Sequence, residues 1–270
     1  MDKLTRAEKR QQKQMRKQEA QQQKLEAQNK RNTLTLRYVQ PKTENQELLF
    51  KEFINGKNLL IHGLPGTGKT FISLYLALRE IEQFKDYQRL IIIRSVVPSR
   101  DMGFLPGNAK EKARVYEAPY QAICTELYNR GDAYDVLKNK GMILFETSSF
   151  LRGVTFDNAI VFVDECQNMS YHELCTIMTR VGKNCRIIFS GDYLQSDLKY
   201  SDEKQGVLHF MKIIISMKKH FSTVEMSFDD IVRSGIVKDF IIRKHSYENP
   251  KVVYVQPTPK EADTGEKVIH

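Results

Sequence analysis

The stretch IHGLPGTGKT, Ile61 to Thr70, lies between the apolar run NLL and the run FISLYLALRE. Three glycines in six residues, Gly63, Gly66 and Gly68, interrupt any regular element, so the chain turns here from strand to helix. A strand that runs straight into a helix is not half of a hairpin. It belongs to a parallel sheet whose strands are joined by helical crossovers. Such strands are covered on both faces and read as nearly continuous apolar runs. NLLIHG (58–63), RLIIIRS (89–95), MILFET (142–147), AIVFVDE (159–165) and RIIFSGD (186–192) fit that description. Helical stretches fall between them at Lys69–Phe84, Ala109–Asn129, Tyr171–Val181 and Gly206–Lys219. FSTVEMSF (221–228) reads as a sixth strand, followed by a helix from Asp229 to about Tyr247. The expected fold is one α/β domain with a doubly wound, mostly parallel sheet of five or six strands.

A chain of 270 residues has room for one such domain with appendages, not two. The boundaries follow composition: a Gln/Lys/Arg-rich arm over 1–36, the α/β domain over 43–248, and a tail over 249–270 with Pro257 and Pro259. The net charge is +9, and residues 1–31 alone supply +6 of it, from ten Lys or Arg against four Asp or Glu. The arm has helical propensity, but Leu4, Met15 and Leu25 make no continuous stripe. It reads either as a solvated tail or as an arm that binds nucleic acid or a partner. Cys124, Cys166, Cys175 and Cys185 form no C-x-x-C pair and have no His at zinc-ligand spacing, so buried reduced thiols are expected. No run reaches the ~18 apolar residues of a membrane span, and the N-terminus lacks an apolar signal core. The expected location is the cytoplasm, with no membrane partner.

Gly63, Gly68, Lys69 and Thr70 complete G-x-x-x-x-G-K-[ST] with a strand before and a helix after. Backbone N–H groups along Gly63, Leu64, Pro65, Gly66, Thr67 and Gly68, proline excepted, can wrap a polyphosphate, and the helix adds its positive end. Lys69 would neutralise the β- and γ-phosphates, and the Thr70 hydroxyl would bind Mg²⁺. In AIVFVDECQN, Asp164 and Glu165 stand at the end of a buried strand, where bare carboxylates are costly. A Mg²⁺ compensates Asp164, and Glu165 can then orient and deprotonate a water. The expected ligands are a nucleoside triphosphate and Mg²⁺, bound by a RecA-like P-loop NTPase domain. IIFSGDYLQSDL repeats the layout of an apolar strand followed by polar residues, and its Gln195 can hydrogen-bond a γ-phosphate and a water.

In this order these motifs resemble the PhoH-like ATPases, whose core is similar to the first motor domain of superfamily 1 helicases. The resemblance rests further on GFLPG (103–107), SFLRGVTFDNAIVFVDECQN (149–168), GDYLQSDL (191–198) and FDDIVRSGIVKDFI (228–241). It covers about Thr43 to Tyr247, and the short form looks like the versions that bacteriophages encode, which would place it in the host cytoplasm. The resemblance implies ATP binding by Gly63–Thr70, Mg²⁺ and water handling by Asp164 and Glu165, and γ-phosphate sensing by Gln195. Gln46 falls where related helicases read the adenine edge, although a surface glutamine is the alternative. Two departures stand out: Cys166 replaces the usual alanine of D-E-A-Q-N, and Ser234–Gly235 follow Arg233 where His-Pro is common.

Arg233, expected in a helix beyond the last strand, can neutralise transition-state charge in cis or at a neighbour's site; the alternative is a surface arginine. Action in trans would require a head-to-tail homo-oligomer, with a closed, hexameric ring as the candidate assembly. The loops after the second and third strands offer Arg94, Arg100, Phe104 and Arg152, a mixture suited to single-stranded RNA or DNA. Alternatively, Arg94 and Arg152 pair with the acidic residues. The expected function is a Mg²⁺-dependent ATPase coupled to RNA or DNA. A slow nucleotide switch acting on a protein partner is the second reading, and a small-molecule kinase fits Gln195 poorly.

Overall fold

The computed structural model describes Met15 and residues 34–95, 109–148, 155–193 and 201–248. Six strands, β1 (Asn58–Gly63), β2 (Arg89–Arg94), β3 (Ile143–Thr147), β4 (Ala159–Asp164), β5 (Cys185–Gly191) and β6 (Phe221–Met226), form one sheet in the order β3-β2-β4-β5-β1-β6. Every pairing is parallel. The helices are α1 (Glu44–Ile54), α2 (Lys69–Arg79), α3 (Ala109–Tyr128), α4 (Ala133–Asn139), α5 (Tyr171–Met178), α6 (Ser201–Ser216) and α7 (Gly235–Glu248).

The period-two alternation of strand side chains divides the core in two. Leu59, Ile61, Ile92, Phe162 and Ile188 face one way, toward buried residues of α1 to α4. Leu60, Ile91, Val161, Val163 and Phe189 face the other way, toward α5 and α6. Both sheet faces are therefore covered, which explains why the strands read as unbroken apolar runs rather than as alternating ones.

The strands lie where the sequence reading put them, within two residues at either end. Two helices were not foreseen. In α1, Thr43 caps the N-terminus by accepting from the Gln46 N–H, and Glu44 and Glu47 in the first turn favour its positive end. The short α4 buries Ala133, Tyr134 and Leu137. Helix α2 ends at Arg79 rather than Phe84, where a single wide turn, Glu80–Phe84, takes over. Helix α5 starts at a reciprocal cap between Ser170 and Glu173.

The expected helix from Asp229 requires correction. Phe228–Asp230 form one tight turn and α7 begins only at Gly235, so Arg233 lies in the connection and not in the helix. The cause is competition for hydrogen bonds: the Asp230 carboxylate accepts from the N–H and hydroxyl of Ser227, and the Val232 N–H donates to Gly66 O. Among the described residues no helix is long and apolar enough to cross a membrane. Cys124 and Cys166 are buried, whereas Cys175 and Cys185 are only half-buried.

Candidate nucleotide site

All six strands point the same way, so their C-terminal tips share one edge, and there the loops after β1, β4 and β5 meet. Strand register sets them side by side: His62 opposes Gly191, Val163 opposes Phe189 and Arg94 opposes Asp164. A cleft of about 770 Å³ opens along this edge.

The glycine-rich loop leaves β1 at Gly63, which has φ +120°. A β-carbon there would lie 2.1 Å from Met226 O, so only glycine lets β1 stay beside β6 while Leu64 N–H donates to that same carbonyl. The Thr67 hydroxyl turns inward and donates to Leu64 O at 3.0 Å. Lys69 folds back over the loop, its Nζ donating to Gly63 O and Leu64 O at 2.8 Å each. Burial lowers its pKa, and the carboxylates of Asp192, Glu165 and Asp164 work against that.

Asp164 ends β4 fully within the cleft floor. It accepts from Thr70 Oγ1 at 3.2 Å and from the Tyr120 hydroxyl at 2.9 Å. Burial, together with the Glu165 carboxylate next door, raises its pKa to about 6. The Thr70 hydroxyl and the Asp164 carboxylate thus set hard oxygen donors side by side, the donor set that Mg²⁺ takes. Glu165 sits in the left-handed region at φ 50°, uncommon for a non-glycine residue. Gln167 holds it there: its Nε2 donates to Glu165 Oε2 at 2.6 Å while its Oε1 accepts from the Asp192 N–H at 3.0 Å.

Arg94 points into this cleft. Its guanidinium lies 5.9 Å from the Tyr116 ring centroid, hydrogen-bonds Tyr120 and feels both Asp164 and Glu165. Burial alone would lower its pKa, but the bond to the Tyr120 hydroxyl and the nearby Asp164 and Glu165 carboxylates outweigh that and raise it.

Gln46 is buried beneath the loop. Its Nε2 donates to Thr67 O at 3.0 Å and its Oε1 accepts from the Lys42 N–H at 2.8 Å. The connection after β6 also reaches the loop. A β-carbon on Gly66 would lie 2.9 Å from Arg233 Cγ and 3.3 Å from Ile241 Cδ1, so the arginine side chain lies on the loop of its own chain. Asp230 ties the two flanks together, accepting from the Thr43 hydroxyl and from Asn45 Nδ2 at 2.8 Å.

Lys69, Thr70, Asp164, Glu165, Gln46, Arg94 and Arg233 therefore line one cleft. Gln195, Arg100, Phe104 and Arg152 lie outside the described residues, as do the tail from residue 249 and, Met15 and residues 34–36 apart, the basic arm. Tyr120, Gln167 and Asp230 escaped the sequence reading. Gln167 stood inside AIVFVDECQN, but nothing in a linear pattern says that an amide two residues past a carboxylate turns back onto it.

A family model described as PhoH-like protein matches residues 38–244. Protein PhoH2 of Bacillus subtilis (strain 168) is 33% identical over 181 residues, covering 64% of this chain and 40% of that protein. Protein PhoH of Escherichia coli (strain K12) is 34% identical over 155 residues, covering 56% of this chain and 44% of that protein. The PhoH-like protein of Mycobacterium leprae is 27% identical, with 59% of its length covered, so the chain spans about 40% to 59% of these relatives. Among solved structures, the large terminase of a thermophilic bacteriophage aligns with 76% of this chain and 50% of that one, at 12% identity and a TM-score of 0.45.

Proposed function

The chain belongs to the PhoH-like protein family, and within it we propose a Mg²⁺-dependent ATPase whose turnover is coupled to single-stranded RNA or DNA. The single observation that carries the ATPase reading is the meeting of Lys69, Thr70, Asp164 and Glu165 at one cleft from two segments of chain 94 residues apart. Lys69 neutralises the polyphosphate, and in doing so exchanges two neutral carbonyl partners for phosphate oxygens. Thr70 and Asp164 would hold Mg²⁺, which supplies neutralising charge at the β- and γ-phosphate oxygens. Glu165, fixed by Gln167, orients the attacking water and takes its proton. Arg233, lying on Gly66, offers positive charge to the phosphates from the solvent side. The nucleic-acid side of the proposal rests on charge: +6 of the net +9 is concentrated in residues 1–31.

The test is phosphate release and ATP binding by the full chain, with and without single-stranded RNA or DNA. Lys69→Ala loses binding, whereas Glu165→Gln keeps binding and loses turnover by about 10²- to 10⁴-fold, the usual worth of a general base. Equal turnover by wild type and Glu165→Gln sinks the role of that carboxylate. A rate that ignores added nucleic acid sinks the coupling and leaves the nucleotide switch acting on a protein partner.

A further inference from the structure

The cleft has two chemically different ends. One is charged, with Lys69, Asp164 and Arg233. The other is largely apolar: Val39, Phe71, Pro119 and Ile123, rimmed by Arg37 and Glu126. Pro119, Ile123 and Glu126 recur at helical spacing, so α3 turns one face to this end. Phe71 directly follows Thr70, and its ring packs against the core from a partly buried position. Arg37 stands over that ring, its Cζ 5.7 Å from the centroid. The guanidinium is held in place by Glu126 Oε1 at 2.8 Å, and the Arg37 N–H donates to Leu127 O at 2.9 Å.

A nucleoside triphosphate has the same division, a polyanion joined to a flat heterocycle. We propose that the nucleobase seats at the apolar end, its plane against Phe71 and the Arg37 guanidinium, and that Gln46 does not read it. The inference rests on the nucleotide reading of the cleft. The Gln46 amide is already fixed by Lys42 N–H and Thr67 O, so its orientation is set by the loop and only one N–H and one lone pair are left for a base. Gln46 is instead a positioning residue that props the loop from below. Recognition by stacking favours the larger purine rings over pyrimidines and depends little on the edge of the base.

The experiment compares two probes on the full chain with Mg²⁺ by titration calorimetry: ATP, and inorganic tripolyphosphate, which has the charge and no base. Phe71→Ala and Arg37→Ala are expected to weaken ATP by about tenfold and to leave tripolyphosphate within about twofold, since a stacked base contributes on that scale. Tripolyphosphate binding also reports that each variant is folded. Gln46→Ala is expected to weaken both probes by a similar factor. Equal losses of ATP and tripolyphosphate in the Phe71 and Arg37 variants, or no loss of either, overturn the seat. Selective loss of ATP in Gln46→Ala returns base reading to the amide and overturns the proposal. Wild type that binds neither probe overturns the nucleotide reading, and the seat with it.

Discussion

Helices α2 and α7 both reach the glycine-rich loop, and they are anchored in opposite ways. Seven of the eleven residues of α2 are buried, an unbroken run from Ile72 to Leu78. None of the fourteen residues of α7 is. Its Ile236, Phe240 and Tyr247 are exposed, and it is secured by Ile241 against Gly66 and by the edge-on contact of His245 with Phe228. Lys69 and Thr70 therefore ride on an element that cannot move without opening the core. Arg233 approaches on a segment held by polar links, each contributing on the order of 1 kcal/mol. The floor of the site is built into the core, and its cover is not. Local stability is expected to follow that division, since elements with few buried contacts open first.

The sharpest way to break this comparison is to cut each helix at an apolar position. Leu76→Ala removes a side chain with no solvent exposure and is expected to cost about 2–5 kcal/mol in urea unfolding. Phe240→Ala, two-thirds exposed, is expected to stay within about 0.5 kcal/mol of wild type. Comparable losses would show that α7 is anchored by something other than the contacts described.

A second measurement sharpens the role of the cover. Arg233→Ala is expected to bind ATP normally and to hydrolyse it at least about tenfold more slowly, because charge stabilisation from that side is lost. Since Arg233 lies on the Gly66 of its own chain, mixing Arg233→Ala with Lys69→Ala protein is expected to restore nothing. Recovery of activity in the mixture would mean that the arginine serves a neighbour's loop and that the protein works as a homo-oligomer.

A third measurement concerns the clasp. Burial would push the Asp230 carboxyl up, but hydrogen bonds from Asn45, Thr43 and Ser227 outweigh it and hold its pKa below the ordinary value. A depressed folded-state pKa contributes stability above the unfolded-state value, and that contribution is lost as pH falls through the folded-state one. Asp230→Asn is thus expected to cost about 1–3 kcal/mol at neutral pH. The difference should shrink as the solution is acidified below the ordinary carboxylate range. A gap that stays constant from neutral to acid pH would mean that the charge of Asp230 is irrelevant to the clasp.

Much of this protein is legible in its sequence, for a local reason. The loop from Gly63 to Thr70 and the pair Asp164–Glu165 are each contiguous, and each follows a strand whose apolar run marks its end. A strand buried on both faces leaves that signature whatever its neighbours are, so the sheet, its parallel sense and the position of the glycine-rich loop followed from spacing and composition alone. The same burial hides the order of the strands, because six apolar runs carry no mark of which lies beside which. That order brings β4 to within one strand of β1 and so sets Asp164 against Thr70, 94 residues away. Contacts made by lone side chains were equally invisible. Asp230 meets Thr43 across 187 residues, Tyr120 reaches Asp164 across 44, and Arg233 lies on Gly66, yet none of these leaves a periodicity in the chain. Backbone geometry and apolar burial are repeated over many residues and can be read locally. The hydrogen bonds that anchor Gln167 to Asp192, prop the loop on Gln46 and clasp the two flanks through Asp230 form only after the sheet has brought distant segments within about 3 Å of one another.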